Sequence, residues 1–333
     1  MSESIAVSCR VRLARNLSEY HFPHILDNAK ANEVKKRISE CMDRRSYSFI
    51  DIQSLPNVDR LLFIERHLIS PDLLKQPEKS AVMLKKDQTV SLMINEEDHI
   101  RLQCMLDGLR LDEVYALAEG IGKYLESQLK LARDKSLGYL TACPTNLGTG
   151  LRASVMLHLP ALKHTNKLGG VFSALNKVGL TVRGIYGEGT EALGDMYQLS
   201  NRIALGQSEQ ELISSVTRAA QKTIENETKV RENLLRNDNI AVSDRIYRAY
   251  ATLRYARILN SNDFMNMISD VKLGLSLGLL KDRSHATIDK LMINVQPAGV
   301  MKRMNEEAGA QRRDIKRAEI VRDCITNHIM AKE

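Results

Sequence analysis

The sequence contains no tryptophan, and aromatic residues make up only 5% of its 333 residues. Because aromatic side chains are the usual stacking surfaces for single-stranded nucleic acid, this composition does not favour direct nucleic-acid binding. No apolar run approaches the ~20 residues that span a bilayer. The N-terminus also lacks the charged-then-apolar layout of a secretory signal. These absences predict a cytoplasmic protein that binds no membrane.

Cysteine is scarce and scattered. The five cysteines form no C-x-x-C pair. An odd number at irregular spacing excludes a disulfide framework that pairs every cysteine, and it does not fit a zinc ribbon. It is typical of a protein in a reducing compartment.

The common nucleotide-binding motifs are missing as well. The sequence has no G-x-x-x-x-G-K-[ST] segment and no H-R-D or D-F-G set, and "GEGTEALG" has the wrong spacing for G-x-G-x-x-G. The net charge is nevertheless +7, which suits the binding of anions. If the protein binds phosphates, side chains rather than a glycine-rich backbone loop must hold them.

The chain divides into two regions of different pattern. Up to about residue 205, alternating strand-like segments are mixed with helical ones, which predicts an α+β fold with an antiparallel sheet flanked by helices. From Ser208, which forms a capping box with Glu211, the pattern is helical almost throughout. We therefore predict a catalytic domain over residues 1–235 and an all-helical C-terminal domain over 236–333. The helices predicted before Ser208 are 28–45, 57–69, 111–133 and 161–178.

Arginine occupies positions suited to packing residues in four strand-like segments. The segments are "SCRVR", "DHIR", "GTGLRASVM" and "RGIYGEGTE", and their arginines are Arg10, Arg12, Arg101, Arg152 and Arg183. Guanidinium groups bind phosphate oxygens through two parallel hydrogen bonds. The recurrence predicts that these arginines converge on a polyanion.

The stretch "NEEDHIRLQ", residues 95–103, places acidic residues between two apolar segments. Read as an extended strand, it presents Glu97, His99 and Arg101 on one face. That face is either the solvated outside of an antiparallel sheet or the polar floor of a site.

Four segments together resemble a known family. "SCRVRLARN", "NEEDHIRLQ", "CPTNLGTGLRAS" and "VRGIYGEGTEALGDMYQLSN", in this order, resemble the catalytic domain of the phosphagen (guanidino) kinases over residues 8 to about 233. The resemblance is strongest to the bacterial members that phosphorylate arginine side chains of proteins. It implies an antiparallel sheet with flanking helices, with ATP and Mg²⁺ as donor and cofactor.

The resemblance also implies roles for particular residues. Glu97 and Glu188 correspond to the carboxylate pair that grips the acceptor guanidinium, and Cys143 corresponds to the family's reactive cysteine. The implied ATP-binding residues are Ser8, Cys9, Arg10, Val11, Arg12, His67, Arg101, Arg152, Ala153, Ser154, Val155, Met156, Arg183, Gly184, Ile185, Tyr186, Gly187 and Glu188. Without the resemblance, His67 is typical of an ordinary helix-face histidine and Cys143 of an inert buried thiol.

The C-terminal stretch "RRDIKRAEI" allows two interpretations. As a bare pattern it indicates a solvated basic helix face. It also resembles the R-D-x-x-R-A motif with which the family's C-terminal domain binds phosphoarginine as an allosteric signal. The residues of this predicted pocket are Arg313, Asp314, Ile315, Lys316, Arg317 and Ala318. The Arg/Tyr-rich helix 244–257 is interpreted as a packed helix with a basic rim rather than an RNA contact.

Two departures from the small-molecule guanidino kinases favour a protein acceptor. The segment starts at residue 8, so we expect no helical domain before it, and Gly189 stands where arginine kinases usually have histidine. We therefore expect an open acceptor side and a kinase that phosphorylates arginine side chains of proteins. A small-molecule guanidino kinase and a non-catalytic phosphoarginine-binding adaptor remain as alternatives. The implied partners are a zinc-finger activator protein, the Clp protease ATPase, a heat-shock repressor and a second copy in a homodimer.

Overall fold

The computed structural model describes residues 5–184, 192–237, 239–283 and 287–331. Within these residues, eight strands form one sheet in which all neighbouring strands are antiparallel, in the order β2-β3-β4-β5-β1-β8-β10-β9. The strands are β1 (Ala6–Arg15), β2 (Tyr47–Asp51), β3 (Ala81–Lys85), β4 (Val90–Ile94), β5 (Ile100–Asp107), β8 (Leu151–His158), β9 (Leu180–Gly184) and β10 (Met196–Asn201). A separate pair consists of β6 (Arg133–Asp134) and β7 (Gly138–Tyr139). The predicted antiparallel sheet is confirmed.

The sheet has one apolar and one polar face because side chains alternate along each strand. In the central strand β1, Cys9, Val11 and Leu13 are buried in the main hydrophobic core. Arg10 and Arg12 point to the other face, where they line a cavity. The apolar face packs against helices, so the polar face is available for a site.

The helices of the first region are α1 (Asn28–Glu40), α2 (Asn57–Glu65), α3 (Leu111–Gln128), α4 (Pro160–His164), α5 (Leu168–Lys177) and α6 (Glu209–Asn237). The capping box predicted at the start of α6 is confirmed. The Glu211 amide donates to Ser208 Oγ over 3.3 Å, and the Ser208 amide donates to Glu211 Oε2 over 2.7 Å. The apolar positions that define this helix, from Leu212 to Ile224, are buried in the main core.

The C-terminal region is built on a second core. Its helices are α7 (Asn239–Tyr255), α8 (Ser261–Ser276), α9 (Thr287–Asn294), α10 (Pro297–Met304) and α11 (Ala310–His328). The prediction of an all-helical region needs one correction, because β11 (Leu280–Asp282) pairs with β12 (Ile329–Ala331). None of the described helices combines the length and the apolar character needed to cross a membrane.

The two regions are joined by contacts between α2 and α10. The amides of Ala298 and Gly299 donate to the carboxylate of Glu65 over 2.7 and 3.0 Å. Lys302 and Asp59 form an ion pair of 2.6 Å beside them. A carboxylate at a helix N-terminus satisfies amides that have no partner within the helix. The C-terminal helices are thereby attached next to the loop that follows α2.

Several predicted boundaries differ from the observed ones. The helix predicted over 111–133 ends at Gln128, because Lys130 and Ala132 bond instead to the backbone of Ser18 and Asn16. The helix predicted over 28–45 ends at Glu40, the helix predicted over 57–69 ends at Glu65, and the helix predicted over 161–178 is divided between α4 and α5. The predicted domain boundary near 235 falls in the last turn of α6.

Candidate active site

One face of the sheet collects polar side chains from neighbouring strands. In β1, Arg12 lies directly opposite Gln103 of β5 on one side and Arg152 of β8 on the other. In β10, Gln198 lies opposite Arg183 of β9. Directly opposite residues of antiparallel strands are cross-strand neighbours on the same face. The strand register therefore brings together arginines that are far apart in the sequence.

These side chains line a cavity of about 440 Å³, which we call the main cavity because it holds the converging arginines. Among its lining residues are all five arginines of the strand-like segments, and we call Arg10, Arg12, Arg101, Arg152 and Arg183 the arginine cluster. The other lining residues include His67, Ser70, Asp72, Glu97, Gln103, Gly184 and Gln198. A cavity with one acidic side and a strongly basic floor suits a ligand that carries several negative charges.

Burial and mutual repulsion lower the pKa of the clustered guanidinium groups. Burial, followed by the charges of Arg101 and Arg152, lowers the pKa of Arg10 to about 10. Burial, followed by the charge of Arg10, lowers the pKa of Arg12 well below its usual value. A polyanion between these groups would relieve the repulsion, so the cluster favours such a ligand.

Hydrogen bonds from the guanidinium groups to amide and hydroxyl oxygens orient part of the cluster. Arg10 donates to Gln198 Oε1 over 2.8 Å and to Gln103 Oε1 over 3.3 Å. Arg152 donates to Ser200 Oγ over 3.1 Å. Within the described part of the chain, Nε of Arg12 is buried without a hydrogen-bond partner. Neither Gln103 nor Gln198 was predicted from the sequence to orient an arginine. Gln103 follows Arg101 by two residues in the stretch 95–103, and this shared face was a usable signal.

The acidic segment forms a loop rather than the continuous strand that we predicted. Strand β4 ends at Ile94 and β5 begins at Ile100, and Asn95 between them has a φ of +55°. His99 is fully buried and accepts a hydrogen bond from the amide of Leu17, so it does not share a face with Arg101. Asparagine tolerates the left-handed backbone region better than most residues, which explains why the strand stops there.

Glu97 lies at the tip of this loop and lines the main cavity. Burial, followed by the neighbouring charges of Asp98 and Glu96, raises its pKa. A carboxylate with a raised pKa binds a proton more readily than an ordinary one, which suits a group that accepts a proton near neutral pH.

Glu96 is a further residue of the site that was not predicted from the sequence. Its side chain is fully buried and forms an ion pair with Arg101. It also accepts hydrogen bonds from Ser70 Oγ and from the amide of Glu97. Glu96 thus holds together one member of the arginine cluster, the loop after α2 and the backbone of Glu97. The alternation of side chains along the stretch 95–103 gave no reason to assign a role to Glu96 as well as to Glu97.

Cys143 lines a second cavity of about 120 Å³. This cavity shares its walls with the main one through Arg12, Glu97, Arg101 and Arg152. Sγ of Cys143 lies 3.1 Å from Thr145 Oγ1.

The loop that carries Cys143 is held by the acidic loop, because the amide of Ala142 donates to Asp98 Oδ1 over 2.7 Å. Gly150 has a φ of +64°, and a Cβ atom there would lie 2.6 Å from the carbonyl oxygen of Ala14. Only glycine therefore fits where this loop enters β8.

His67 follows α2 and lines the main cavity on the side away from the acidic loop. Burial, followed by the charge of Arg10, lowers its pKa to about 4. Its carbonyl oxygen accepts a hydrogen bond of 2.6 Å from Gln103 Nε2, and its φ is +57°. His67 is therefore a neutral ring at neutral pH, held in an uncommon backbone conformation beside the arginines.

Some of the residues expected at the ATP site lie elsewhere or cannot be placed. The side chains of Cys9, Val11, Ala153 and Val155 are buried in the main core, on the opposite face of the sheet. Ser8, Ser154 and Met156 lie on the arginine face and line smaller cavities near the main one. The predicted residues Ile185, Tyr186, Gly187 and Glu188 lie outside the described residues.

The C-terminal motif lies on α11, away from the arginine cluster. Arg317 is buried, and it donates to the carbonyl oxygens of Val295 and Leu259 over 2.8 and 2.9 Å and pairs with Asp314. Arg313 is half-buried and donates to the carbonyl oxygen of Ala308 over 2.6 Å. The remaining motif residues are Ile315, Lys316 and Ala318, of which Ile315 is exposed and Ala318 is buried. Arg317 therefore has a structural role that a solvated helix face would not give it.

The arrangement as a whole is suited to transfer of a phosphoryl group. The arginine cluster supplies fixed positive charge for phosphate oxygens, and phosphoryl transfer depends mainly on such positioning and charge neutralisation. Glu97 supplies a carboxylate at the junction of the two cavities. Among the described residues, no cluster of three metal-ligating side chains is present.

Comparison with known proteins gives the same assignment for both regions. The family model described as ATP:guanido phosphotransferase, C-terminal catalytic domain, matches residues 29–230. The model described as protein-arginine kinase McsB C-terminal domain matches residues 239–332. The two matches together cover most of the chain.

Individual relatives agree with the family models. The chain is 42% identical to the protein-arginine kinase of Pelotomaculum thermopropionicum over 325 residues, which cover 96% of this chain and 91% of that protein. It is 43% identical to the protein-arginine kinase of Syntrophomonas wolfei, with the same coverage. Among solved structures, a lombricine kinase superposes with a TM-score of 0.62 at 26% identity, covering 70% of this chain and 69% of that one.

Three findings lead to one assignment. They are the polar sheet face with its converging arginines, the two family matches, and the relatives that align over nearly the whole chain. The chain belongs to the ATP:guanido phosphotransferase family, among the protein-arginine kinases, and is a phosphotransferase that acts on a guanidino nitrogen.

Proposed function

We propose that the protein transfers the γ-phosphoryl group of ATP to arginine side chains of other proteins. The observation that carries the proposal is the position of Glu97, which lines both the main cavity and the smaller one beside Cys143. The main cavity is suited to the triphosphate and the smaller one to the acceptor guanidinium. Glu97 and the arginine cluster then lie where donor and acceptor meet.

The triphosphate binds through the arginine cluster. Each guanidinium group can donate two parallel hydrogen bonds to phosphate oxygens, and the mutual repulsion within the cluster is replaced by attraction. Mg²⁺ enters as the MgATP complex. Because Mg²⁺ is usually held by substrate phosphates, water and one or two carboxylates, it needs no cage of protein ligands here.

The acceptor guanidinium needs help to become a nucleophile. Arginine has a pKa of roughly 13, so forming the neutral side chain at pH 7 costs about 8 kcal/mol. Glu97, together with Glu188, orients the guanidinium and accepts one of its protons as the new bond forms. The N–P bond forms while the bond from the γ-phosphorus to the bridging oxygen breaks, ADP leaves with that oxygen, and the released proton goes to the carboxylate.

Cys143 assists rather than reacts in this scheme. Its thiol lines the acceptor cavity beside Glu97 and Arg12. A polar, polarisable side chain at this position contacts the guanidinium and restricts its orientation. We expect Cys143→Ala to lower turnover without abolishing it.

A comparison of acceptors tests the proposal and separates it from its two alternatives. The purified protein is incubated with MgATP and either casein or free arginine, and phosphoarginine is measured under conditions that preserve the acid-labile N–P bond. Phosphoarginine in casein, with little product from free arginine, is expected. Product only from free arginine would identify a small-molecule guanidino kinase, and no product with retained phosphoarginine binding would identify an adaptor.

The C-terminal motif is proposed to bind phosphoarginine as an allosteric ligand. Half-buried Arg313 is the accessible guanidinium, and the phosphate of a ligand would compete with the carbonyl oxygens that Arg317 now binds. Release of the Val295 carbonyl would move the chain between α9 and α10, next to the contact with Glu65. This is a physical route by which a ligand on α11 alters the catalytic region.

The biological setting is proposed from family membership alone. It comprises marking of proteins for the Clp protease ATPase, activation by a zinc-finger protein, control of a heat-shock repressor and assembly as a homodimer. Phosphoproteomics with the N–P bond preserved, in cells with and without the protein, tests the substrates. Loss of the protein should remove arginine phosphorylation from the repressor and from Clp substrates.

A further inference from the structure

Two small cavities continue the main cavity away from the acidic loop. The first, about 30 Å³, shares Arg10, His67 and Gln198 with the main cavity. The second, about 80 Å³, shares Ser8, His67 and Met156 with the first. Because each shares lining residues with the next, the three cavities lie in a row along the arginine face, and we call this row the path. We call the 80 Å³ cavity the far chamber.

The length of this path matches an extended ligand. Ser8 and Arg12 are four residues apart on β1 and point to the same face, so they are separated by about 13 Å along the strand. Arg12 lies among the proposed phosphate-binding groups, and Ser8 lines the far chamber. A ligand with its phosphates at the arginine cluster therefore extends its other end into the far chamber.

The chemical character changes along the path. The far chamber is lined by four methionines, Met156, Met196, Met265 and Met292. Thioether side chains are polarisable and pack well against aromatic faces. The oxygen-bearing side chains of Ser8, Glu65, Asp289 and Gln296 also line it. A flat, polarisable ring with polar edges fits this combination. The two carboxylates are already paired, Glu65 with the amides of Ala298 and Gly299 and Asp289 with Lys272, so Ser8 and Gln296 are the side chains left to contact the ring edge.

Five of the eleven residues that line this chamber belong to the C-terminal region. Met265 lies on α8, Asp289, Met292 and Ile293 lie on α9, and Gln296 precedes α10. Gln296 is buried and is held by a hydrogen bond of 2.8 Å from its Nε2 to the carbonyl oxygen of Met292. The helical region is therefore a wall of the path and not only a separate unit attached beside it.

We propose that the C-terminal region forms part of the ATP site, with the adenine ring held in the far chamber by Met265, Met292 and Gln296. The proposal rests on the proposed ATP-binding function of the arginine cluster. The proposal also gives a route by which a change in the C-terminal helices alters the rate of catalysis, because these helices contact the nucleotide directly.

A single tryptophan can report on the far chamber, because the protein has none of its own. Ile293 lines the chamber and is 39% exposed, so Ile293→Trp is expected to fold. Ile258 is 59% exposed and does not line any cavity of the path, so Ile258→Trp is the matched control. Emission of both variants is followed during titration with MgADP and, separately, with inorganic tripolyphosphate.

We expect MgADP to change the emission of Ile293→Trp in a saturable manner and to leave Ile258→Trp unchanged. Tripolyphosphate, which has no base, should change neither. In the unaltered protein, MgADP but not tripolyphosphate should slow amide hydrogen exchange in α9. The exchange measurement covers the case in which the tryptophan variant does not fold.

Three outcomes would contradict the proposal, and they differ in how much of the account fails. If MgADP binds the unaltered protein but neither changes the emission of Ile293→Trp nor protects α9, the adenine lies elsewhere and only this inference fails. The same holds if tripolyphosphate gives the same responses as MgADP. If neither ligand binds the unaltered protein in calorimetry, the proposed ATP function of the arginine cluster fails with it.

Discussion

The arginine cluster is expected to lower the stability of the nucleotide-free protein and to increase its affinity for nucleotide. The variant Arg10→Gln tests both effects. The positive charges of Arg101 and Arg152 act on Arg10, which lines the main cavity. Replacing it removes one buried positive charge. The change should therefore leave the nucleotide-free protein at least as stable as before and yet reduce its affinity for ADP.

The magnitude follows from the pKa of Arg10. A pKa lowered from 12.5 to about 10 corresponds to roughly 3 kcal/mol of unfavourable free energy for the charged group. The hydrogen bonds to Gln198 and Gln103 are lost in return, at about 1 kcal/mol each. The free energy of unfolding should consequently stay constant or rise by about 1 kcal/mol. Loss of a charge-assisted contact to phosphate costs about 1.5–3 kcal/mol, or roughly 10- to 100-fold in Kd.

Chemical denaturation with and without MgADP, together with calorimetry, measures both quantities. Arg15→Gln is the control, since Arg15 is on the same strand but binds the carbonyl oxygens of Ala14 and Thr149 and stacks on Tyr139. The Arg15→Gln variant should be less stable than the unaltered protein and should bind ADP with the same affinity. The reasoning is refuted if Arg10→Gln is clearly less stable without nucleotide, or if MgADP stabilises it as much as the unaltered protein.

Three other features give further predictions. Glu65→Ala should lower the free energy of unfolding by about 2 kcal/mol, because two helix amides lose their acceptor. Asp59→Ala removes a more exposed ion pair in the same contact and should lower it by at most about 1 kcal/mol. Chemical denaturation of both variants measures the difference. Arg313→Ala should remove the response to phosphoarginine and lower the free energy of unfolding by only about 1 kcal/mol, because one hydrogen bond is lost. Arg317→Ala should lower it more, because two hydrogen bonds and an ion pair are lost. An unchanged phosphoarginine response in both variants would mean that these arginines are only structural. Since the pKa of Glu97 is raised and its ionised form is the one that accepts a proton, kcat/KM should fall as pH falls through that pKa, and Glu97→Gln should lack this limb of the pH profile.

The sequence predicted the sheet and the arginine cluster because both depend on local pattern. Alternation places Arg10 and Arg12 on the face opposite Val11, and the strand-like segments around Arg152 and Arg183 follow the same rule. The sheet register then brings the segments together. That convergence could be predicted from the number of such segments, but the particular pairing of Arg12 with Arg152 could not.

Tertiary contacts decided the features that the sequence did not predict. The helix after Leu111 stops early because the chain beyond Gln128 bonds to the segment around Ser18. Arg317 is buried because distant carbonyl oxygens accept its hydrogen bonds, and Glu96 was overlooked because its partners, Ser70 and Arg101, lie on other segments. No local pattern encodes such partners.

The most direct test of the account compares Glu97→Gln with Glu113→Gln in ADP binding and in phosphorylation of protein arginine. Glu97 lines both cavities, whereas Glu113 is exposed and pairs with Arg110 on the surface of α3. We predict that Glu97→Gln binds MgADP normally but forms phosphoarginine at least ~10²-fold more slowly, as expected for loss of a positioned base. Glu113→Gln should match the unaltered protein in both assays. Near-normal phosphorylation by Glu97→Gln would contradict the central role assigned to this carboxylate.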